Sequence, residues 1–242
     1  MSIRKSIAAA FILGSLLLPS TVMAQFNWPY KVTNGKAVTE VPVRAAGQES
    51  ALNMTTPKLK TVRVAFVGLG MRGHDAVERW THIPGIQVMA LCDYERDRAE
   101  RCQEYLRKAS MPAADIYSGE DGYKELCKRK DIDLVYIAPD WKHHFLVAYE
   151  AMNNGKHVAV EVPAAMNLTE IWKLIDISEK KRLHCMMLEN CCYDFFELNS
   201  LNMAQKDVFG EILYVQGAYR HELSKFWDAY WKKDAQDKLG WR

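Results

Sequence analysis

The sequence lacks most of the features that would mark a non-enzymatic role. It has no excess of either charge: 32 basic residues stand against 30 acidic ones, and Arg4 and Lys5 both fall in an N-terminal segment expected to be removed, so 32 less these two leaves 30 against 30. No basic stripe interleaved with aromatics follows the chain, so nothing is arranged to neutralise a phosphate backbone, and nucleic acid is excluded as a partner. No internal repeat or low-complexity tract is present. Beyond residue 24 there is no long apolar run, and the one before it, Ile7 to Leu18, is too short to span a bilayer. The six cysteines have no metal-ligand spacing with a histidine, so no metal is expected.

What the first residues do contain is a basic start at Arg4 and Lys5, the apolar stretch just named, and small residues at Val22-Met23-Ala24. Residues 1–24 therefore read as a secretory signal. There is no twin arginine, and no cysteine at the cleavage point to accept lipid, so export to a periplasm or beyond follows, without membrane attachment. Residues 25–60, with Asn34-Gly35, Gly47 and Pro57 and little periodicity, read as an extended lead-in. Export would normally suggest disulfides, but Cys92, Cys185 and Cys191 fall in or beside expected buried strands, which favours buried free thiols.

From Val62 the pattern becomes informative. VRVAFV reads as a strand that runs straight into Gly68-Leu69-Gly70-Met71-Arg72-Gly73 and a helix over His74 to Trp80. Dinucleotide binding needs this order: Gly68 for the tight turn, Gly70 for backbone approach to a pyrophosphate, Gly73 for close helix–strand packing. A second strand, Ile86 to Cys92, ends in Asp93, twenty residues after Gly73. A carboxylate there accepts ribose hydroxyls and repels a 2′-phosphate, favouring NAD over NADP; the alternative is a turn cap before Glu95.

Further on, helices are expected over Arg96–Lys108, Gly122–Arg129 and Lys142–Asn154, the last closed by Gly155, and another opens at Asn167 with capping-box spacing and runs to about Lys181. Strands are expected over Asp133–Ala138, His157–Val162 and Leu183–Leu188. Repeated alternation over residues 61–190 implies an α/β fold, a doubly wound parallel sheet of the Rossmann type covered on both faces. Residues 191–242 read as the incomplete start of an α+β substrate domain: an amphipathic helix over Asp194–Lys206, a turn at Phe209-Gly210-Glu211 and a strand over Ile212–His221. One strand makes no stable sheet, so the chain reads as truncated or as completed from elsewhere.

Ligands of such sheets bind at the carboxyl ends of the strands. Those ends carry Met71 and Arg72; Asp93; Asp140, Trp141, Lys142, His143 and His144; Glu161, Val162 and Pro163; and Glu189, Asn190, Cys191, Cys192 and Tyr193. Trp141 is suited to stack on a ring, His144 to hydrogen-bond a ribose, and Asn190 to hold the nicotinamide side. The competing readings are a solvent-facing first-turn residue for His144 and a core aromatic for Tyr193.

The GLGMRG turn, Asp93, DWKHH at 140–144, EVPAA at 161–165 and ENCCYD at 189–194 resemble the superfamily of glucose-fructose oxidoreductase and inositol dehydrogenase. More closely, they resemble the NAD-dependent glycosidases of glycoside hydrolase family 109, whose known members include α-N-acetylgalactosaminidases. The resemblance runs from about Asn53 to Arg242. It implies bound NAD lined by Gly68, Gly70, Met71, Arg72, Gly73, Asp93, Trp141, Lys142, His143, His144, Glu161, Val162 and Asn190. It also implies a proton-handling or substrate-orienting Tyr193, a small glycoside substrate touched by Tyr219 and Arg242, and pairing between subunits. Sugar dehydrogenases of the superfamily carry lysine in a Glu-Lys-Pro motif; here the position is Val162, which cannot transfer a proton, and the glycosidase branch is favoured. In that branch NAD takes hydride from C3, the C1 group is eliminated, water adds and the hydride returns. Family members continue past Trp-Arg into a Tyr-Pro-Thr-His segment that this chain does not reach, so NAD binding with little hydrolysis is expected of these 242 residues alone. The competing functions are a sugar dehydrogenase using Tyr193 as base, and a non-catalytic NAD-binding module.

Overall fold

The computed structural model describes residues 30–218 and 220–224. The expected signal segment 1–24, Tyr219 and Arg242 lie outside the described residues.

The first described element departs from the expected extended lead-in. Strands β1 (Tyr30–Thr33) and β2 (Lys36–Thr39) form an antiparallel hairpin. Asn34 and Gly35 make its two-residue turn with φ of 52° and 72°, the all-positive geometry that matches strand twist and that Asn-Gly favours. The chain then crosses to the far end of the domain, where Arg44 and Gln48 both bind the Glu179 carboxylate and Arg182 donates to the carbonyls of Glu49 and Ser50.

The remaining strands form one parallel sheet. They are β3 (Val62–Val67), β4 (Ile86–Asp93), β5 (Asp115–Ser118), β6 (Leu134–Ile137), β7 (His157–Val160) and β8 (Cys185–Met187), in the order β5-β4-β3-β6-β7-β8. The chain starts in the middle, winds outward to β5, returns to β6 and winds the other way, so the order reverses between β3 and β6. Helices α1 (Met71–Trp80) and α2 (Arg96–Lys108) cover one face; α3 (Gly122–Lys128), α4 (Trp141–Asn153) and α5 (Leu168–Lys181) cover the other. β3 shows why both faces are dry. Successive side chains of a strand alternate, so Val64 and Phe66 enter the core under α1 and α2, while Ala65 and Val67 enter the core under α3 to α5. On the first face Phe66, Trp80 and Tyr136 pack ring on ring at 5.2–5.5 Å.

Local chemistry sets the helix ends. Asp140 accepts the Lys142 N–H and starts α4, and Gly155 (φ +77°) follows its end. Asn167 accepts the Glu170 N–H at 3.0 Å, and Glu170 reaches back to the Met166 N–H, one residue before the cap. Strand β5 has no sequence alternation to mark it and is defined by pairing with β4.

The C-terminal expectations change most. Helix α6 (Phe195–Gln205) forms, but it buries none of its residues: Phe195 and Phe196 are 84% and 75% exposed. The strand expected over Ile212–His221 is absent among the described residues, where Leu213, Tyr214 and Val215 are exposed. A strand needs a partner ladder, and no described segment supplies one. Of the thiols expected in or beside buried strands, Cys92 is buried, Cys185 is half-buried and Cys191 is exposed; Cys102 and Cys127 are buried as well, and Cys192 is exposed. No helix among the described residues is long and apolar enough to cross a membrane.

At the amino end of the sheet, His157 Nδ1 accepts the His184 N–H at 2.9 Å, and the two rings lie 5.3 Å apart. Burial first, and then His184, hold His157 below the usual histidine range, against the pull of Asp133. A histidine depressed in the fold takes up its proton more readily in the unfolded chain. Its contribution to stability is therefore complete above the ordinary histidine range and is lost as pH falls through it. The urea midpoint should drop between about pH 7.5 and about pH 5.5. His157→Asn, which keeps an acceptor and removes the titration, should flatten that profile; an unchanged slope in the variant excludes His157 as its source.

Candidate functional site

The carboxyl ends of β3 and β6 meet where the strand order reverses, the place in such sheets where a crevice opens. Two glycines make that meeting possible. Gly68 has φ +85°, and a Cβ there would sit 2.2 Å from the Pro139 nitrogen; a Cβ on Gly73 would sit 1.8 Å from the Gly68 carbonyl oxygen. Gly70 is the opposite case, since a Cβ there meets nothing within 4 Å. It caps α1, whose first turn has neither a side-chain cap nor an acidic residue. The free N–H groups of this helix end thus face open space beside a bare glycine, which fits a dinucleotide pyrophosphate.

Asp93, at the end of β4, is 6% exposed. Its Oδ2 accepts the Leu69 N–H at 2.6 Å, and its Oδ1 accepts the Glu95 N–H at 3.0 Å and faces Arg98 at 3.4 Å. The carboxylate thus fixes the glycine turn and caps its own turn, and only its remaining lone pairs are left for ribose hydroxyls.

Arg72 and Glu161, far apart in sequence, come together: Arg72 Nε donates to Glu161 Oε1 at 3.0 Å. Sequence reasoning missed the third member. Tyr136 on β6 is buried in the aromatic cluster, and its hydroxyl donates to the same Oε1 at 2.6 Å. Burial and the adjacent Glu161 carboxylate push the Tyr136 hydroxyl well above its usual range, so it stays a donor. The signal was available, because a tyrosine within an otherwise aliphatic buried strand needs a partner for its hydroxyl. Both donors sit on one oxygen of Glu161, leaving Oε2 for the crevice. Val162 follows, 42% exposed, and no other ionisable side chain takes its place in the Val162-Pro163-Ala164-Ala165 segment.

His144 differs from both readings of it. It is 2% exposed, with Nδ1 2.7 Å from the Pro163 carbonyl and Nε2 3.2 Å from the Pro139 carbonyl. It bridges the loops after β6 and β7 and offers neither ring nitrogen to a ribose. The reason lies in its place on α4, whose first buried position lies between the Pro139 and Pro163 carbonyls. His143 bonds Asp140 instead, and Lys142 and Met71 are exposed. Asn190 and Tyr193 occupy a single 3-10 turn (Asn190–Tyr193) after β8, both exposed, so Tyr193 is not a core aromatic. Trp141 opens α4 beside Asp140. The described residues hold no cluster of three histidines, cysteines or carboxylates able to bind a metal.

Comparison with known proteins agrees with this geometry. Residues 62–189 match the family described as oxidoreductase family, NAD-binding Rossmann fold. The chain is 61% identical to glycosyl hydrolase family 109 protein 5 of Phocaeicola vulgatus, across 98% of this chain and 47% of that protein. It is 56% identical to glycosyl hydrolase family 109 protein 1 of Bacteroides thetaiotaomicron, across 93% and 48%. The chain therefore spans about half the length of the curated relatives it matches. Among solved structures, myo-inositol 2-dehydrogenase from Lactobacillus plantarum superposes with a TM-score of 0.55 at 21% identity, covering 64% of this chain and 44% of that one. A 3-ketoreductase from Actinomadura kijaniata in complex with NADP gives 0.53 at 22%, covering 63% and 44%. At such identities these show the fold.

The two glycine environments separate binding from folding. Gly70→Ala should keep stability within about 1 kcal/mol of wild type while weakening NAD about tenfold or more by calorimetric titration, because the added methyl enters the open cradle. Gly73→Ala should instead lower the melting temperature and the soluble yield. Wild-type NAD affinity in a folded Gly70→Ala protein would place the pyrophosphate elsewhere.

Proposed function

Since the chain belongs to the oxidoreductase family with the NAD-binding Rossmann fold, we propose that it is the cofactor-holding part of an exported glycosidase acting on α-N-acetylgalactosaminide-type substrates. The observation that carries this reading is Val162. The end of β7 presents a fixed carboxylate, Glu161, followed by a side chain that cannot move a proton, where a sugar dehydrogenase of the superfamily has lysine. When bound, NAD supplies a hydride acceptor that is restored within each turnover.

The chain's own groups account for the rest. The free N–H groups at the start of α1 hold the pyrophosphate, and Asp93 fixes the glycine turn and sets the preference for an unphosphorylated ribose. Arg72 and Tyr136 both donate to Oε1 of Glu161 and so fix its orientation, leaving Oε2 outside these bonds. Tyr193, exposed beyond β8, is assigned by resemblance to orient substrate or handle its proton, and Asn190 to hold the nicotinamide side. Tyr219 and Arg242 are assigned to substrate contact on resemblance alone. Cofactor recycling within the site suits a protein working away from the cytosolic nicotinamide pool, and no pair of carboxylates at glycosidase spacing is needed.

Incubating the protein with an aryl α-N-acetylgalactosaminide and no added NAD tests this. Aryl alcohol released without net NADH supports the reading. Stoichiometric NADH would replace it with a dehydrogenase, and retained cofactor with neither product would leave a binding module. Val162→Lys should not raise hydrolysis; a large gain would show that this position has a different role.

A further inference from the structure

The turn after β8 carries two cysteines in succession, and both are exposed. The other four behave differently. Burial pushes the thiols of Cys92 and Cys127 up to about 12 and those of Cys102 and Cys185 up to about 11, where almost no thiolate exists at neutral pH. Cys191 and Cys192 are thus the two thiols open to a reagent. Partial desolvation, and then Asp194, Glu189 and Glu197, also raise the Cys191 thiol, so its reactions should quicken as pH rises.

The geometry says what their joining would do. In a 3-10 turn successive side chains point about 120° apart, so the two sulfurs diverge. Neighbouring Cα atoms are about 3.8 Å apart, below the roughly 4.4–6.8 Å that ordinary disulfides span. The short Cα separation is common to every trans peptide, and it is the divergence of the two side chains that a bond between adjacent cysteines must undo, by turning the backbone between them out of the 3-10 conformation. That breaks the Asp194 N–H to Cys191 carbonyl bond of 3.2 Å that closes the turn, and it moves the residues on either side, Asn190 and Tyr193. Asn190 already touches the pair, its Nδ2 lying 3.5 Å from Cys191 Sγ.

We propose that Cys191 and Cys192 are a redox-modifiable vicinal dithiol, closed to a disulfide by a small disulfide oxidant, and that closure unwinds the Asn190–Tyr193 turn at the mouth of the cofactor crevice. One thiolate attacks the oxidant's S–S bond, forming a mixed disulfide and releasing one thiolate. The neighbouring thiol gives its proton to solvent and displaces the second. The chain loses two hydrogens and the oxidant is reduced to two thiols. The strained ring makes this a reversible switch rather than a staple.

The test uses the full chain and dithiobis-nitrobenzoate in mildly alkaline buffer. Two thionitrobenzoate ions should be released per chain, leaving no adduct and an intact mass lower by two hydrogens, with the loss mapped to the 191–192 peptide. Cys191→Ser and Cys192→Ser should each release one ion and retain one adduct. Amide exchange over residues 190–194 should speed up at least several-fold in the oxidised chain and return to its former rate with dithiothreitol. Two adducts retained on wild type overturn the pairing, and unchanged exchange overturns the unwinding. Only the effect on cofactor rests on the proposed function: a reduced chain that takes up no NAD would sink that function while leaving these results in place.

Discussion

Between Gly68 and Gly73 there is no room for a single methyl group, and the rest of the crevice depends on that closeness. A Cβ at either position would fall within about 2.2 Å of backbone, so neither contact could be relieved by a side-chain rotation. The approach lets α1 begin within one turn of the end of β3. It also brings Pro139, after β6, onto Gly68, so the two halves of the sheet touch at their reversal point. The helix end is thereby aimed at the one place where strands on both sides diverge. Asp93 completes the arrangement by holding the Leu69 N–H, which leaves the following N–H groups to face outward.

The second constraint is electrostatic. Glu161 is 13% exposed and carries two donors on one oxygen, a guanidinium and a phenol. Two donors on one oxygen fix the orientation of that carboxylate. In a dehydrogenase with lysine next to this carboxylate, the pair would share a proton with the reacting hydroxyl. Valine cannot take part in that exchange, and the carboxylate keeps one oxygen outside these two bonds. Such a group can order a hydroxyl, but it does not make the residue after it a base. The bonding around Glu161 holds and aims side chains along a crevice of an NAD-binding fold.

Much of this architecture was legible in the sequence because burial and period agree in it. VRVAFV, DLVYIA and HVAV are apolar on both faces, as strands covered on both sides must be, and Asn167, Gly155 and the glycine turn carry their own local chemistry. What was not legible depended on partners distant in sequence. The hairpin over residues 30–39 has a strong Asn-Gly turn but weak flanking periodicity, and β5 exists only through its ladder to β4. His144 looked like a ligand because nothing local shows that Pro139 and Pro163 will place carbonyls on both sides of its ring. Tyr136 was overlooked for the same reason, since its partner lies 25 residues away on the next strand. Past residue 190 local pattern marked helix α6 within two residues but misled on the strand expected over 212–221, because the apolar residues of 212–215 meet no described surface to bury them.

Three residues, Asp93, His144 and Glu161, tie the strand ends to one another before any ligand contact is counted. Asp93 joins the end of β4 to the turn after β3, His144 joins the loops after β6 and β7, and Glu161 joins β7 to β6 through Tyr136 and to α1 through Arg72. Together these links reach β3, β4, β6, β7 and α1, so a displacement at one strand end is opposed by its neighbours. Binding to a crevice fixed in this way costs less ordering entropy than binding to free loops, and the saving appears as slower dissociation. A protein that returns its hydride each turnover gains from slow dissociation, whereas one that must exchange NADH for NAD is limited by it. The bonding of these strand ends therefore favours a cofactor held in place.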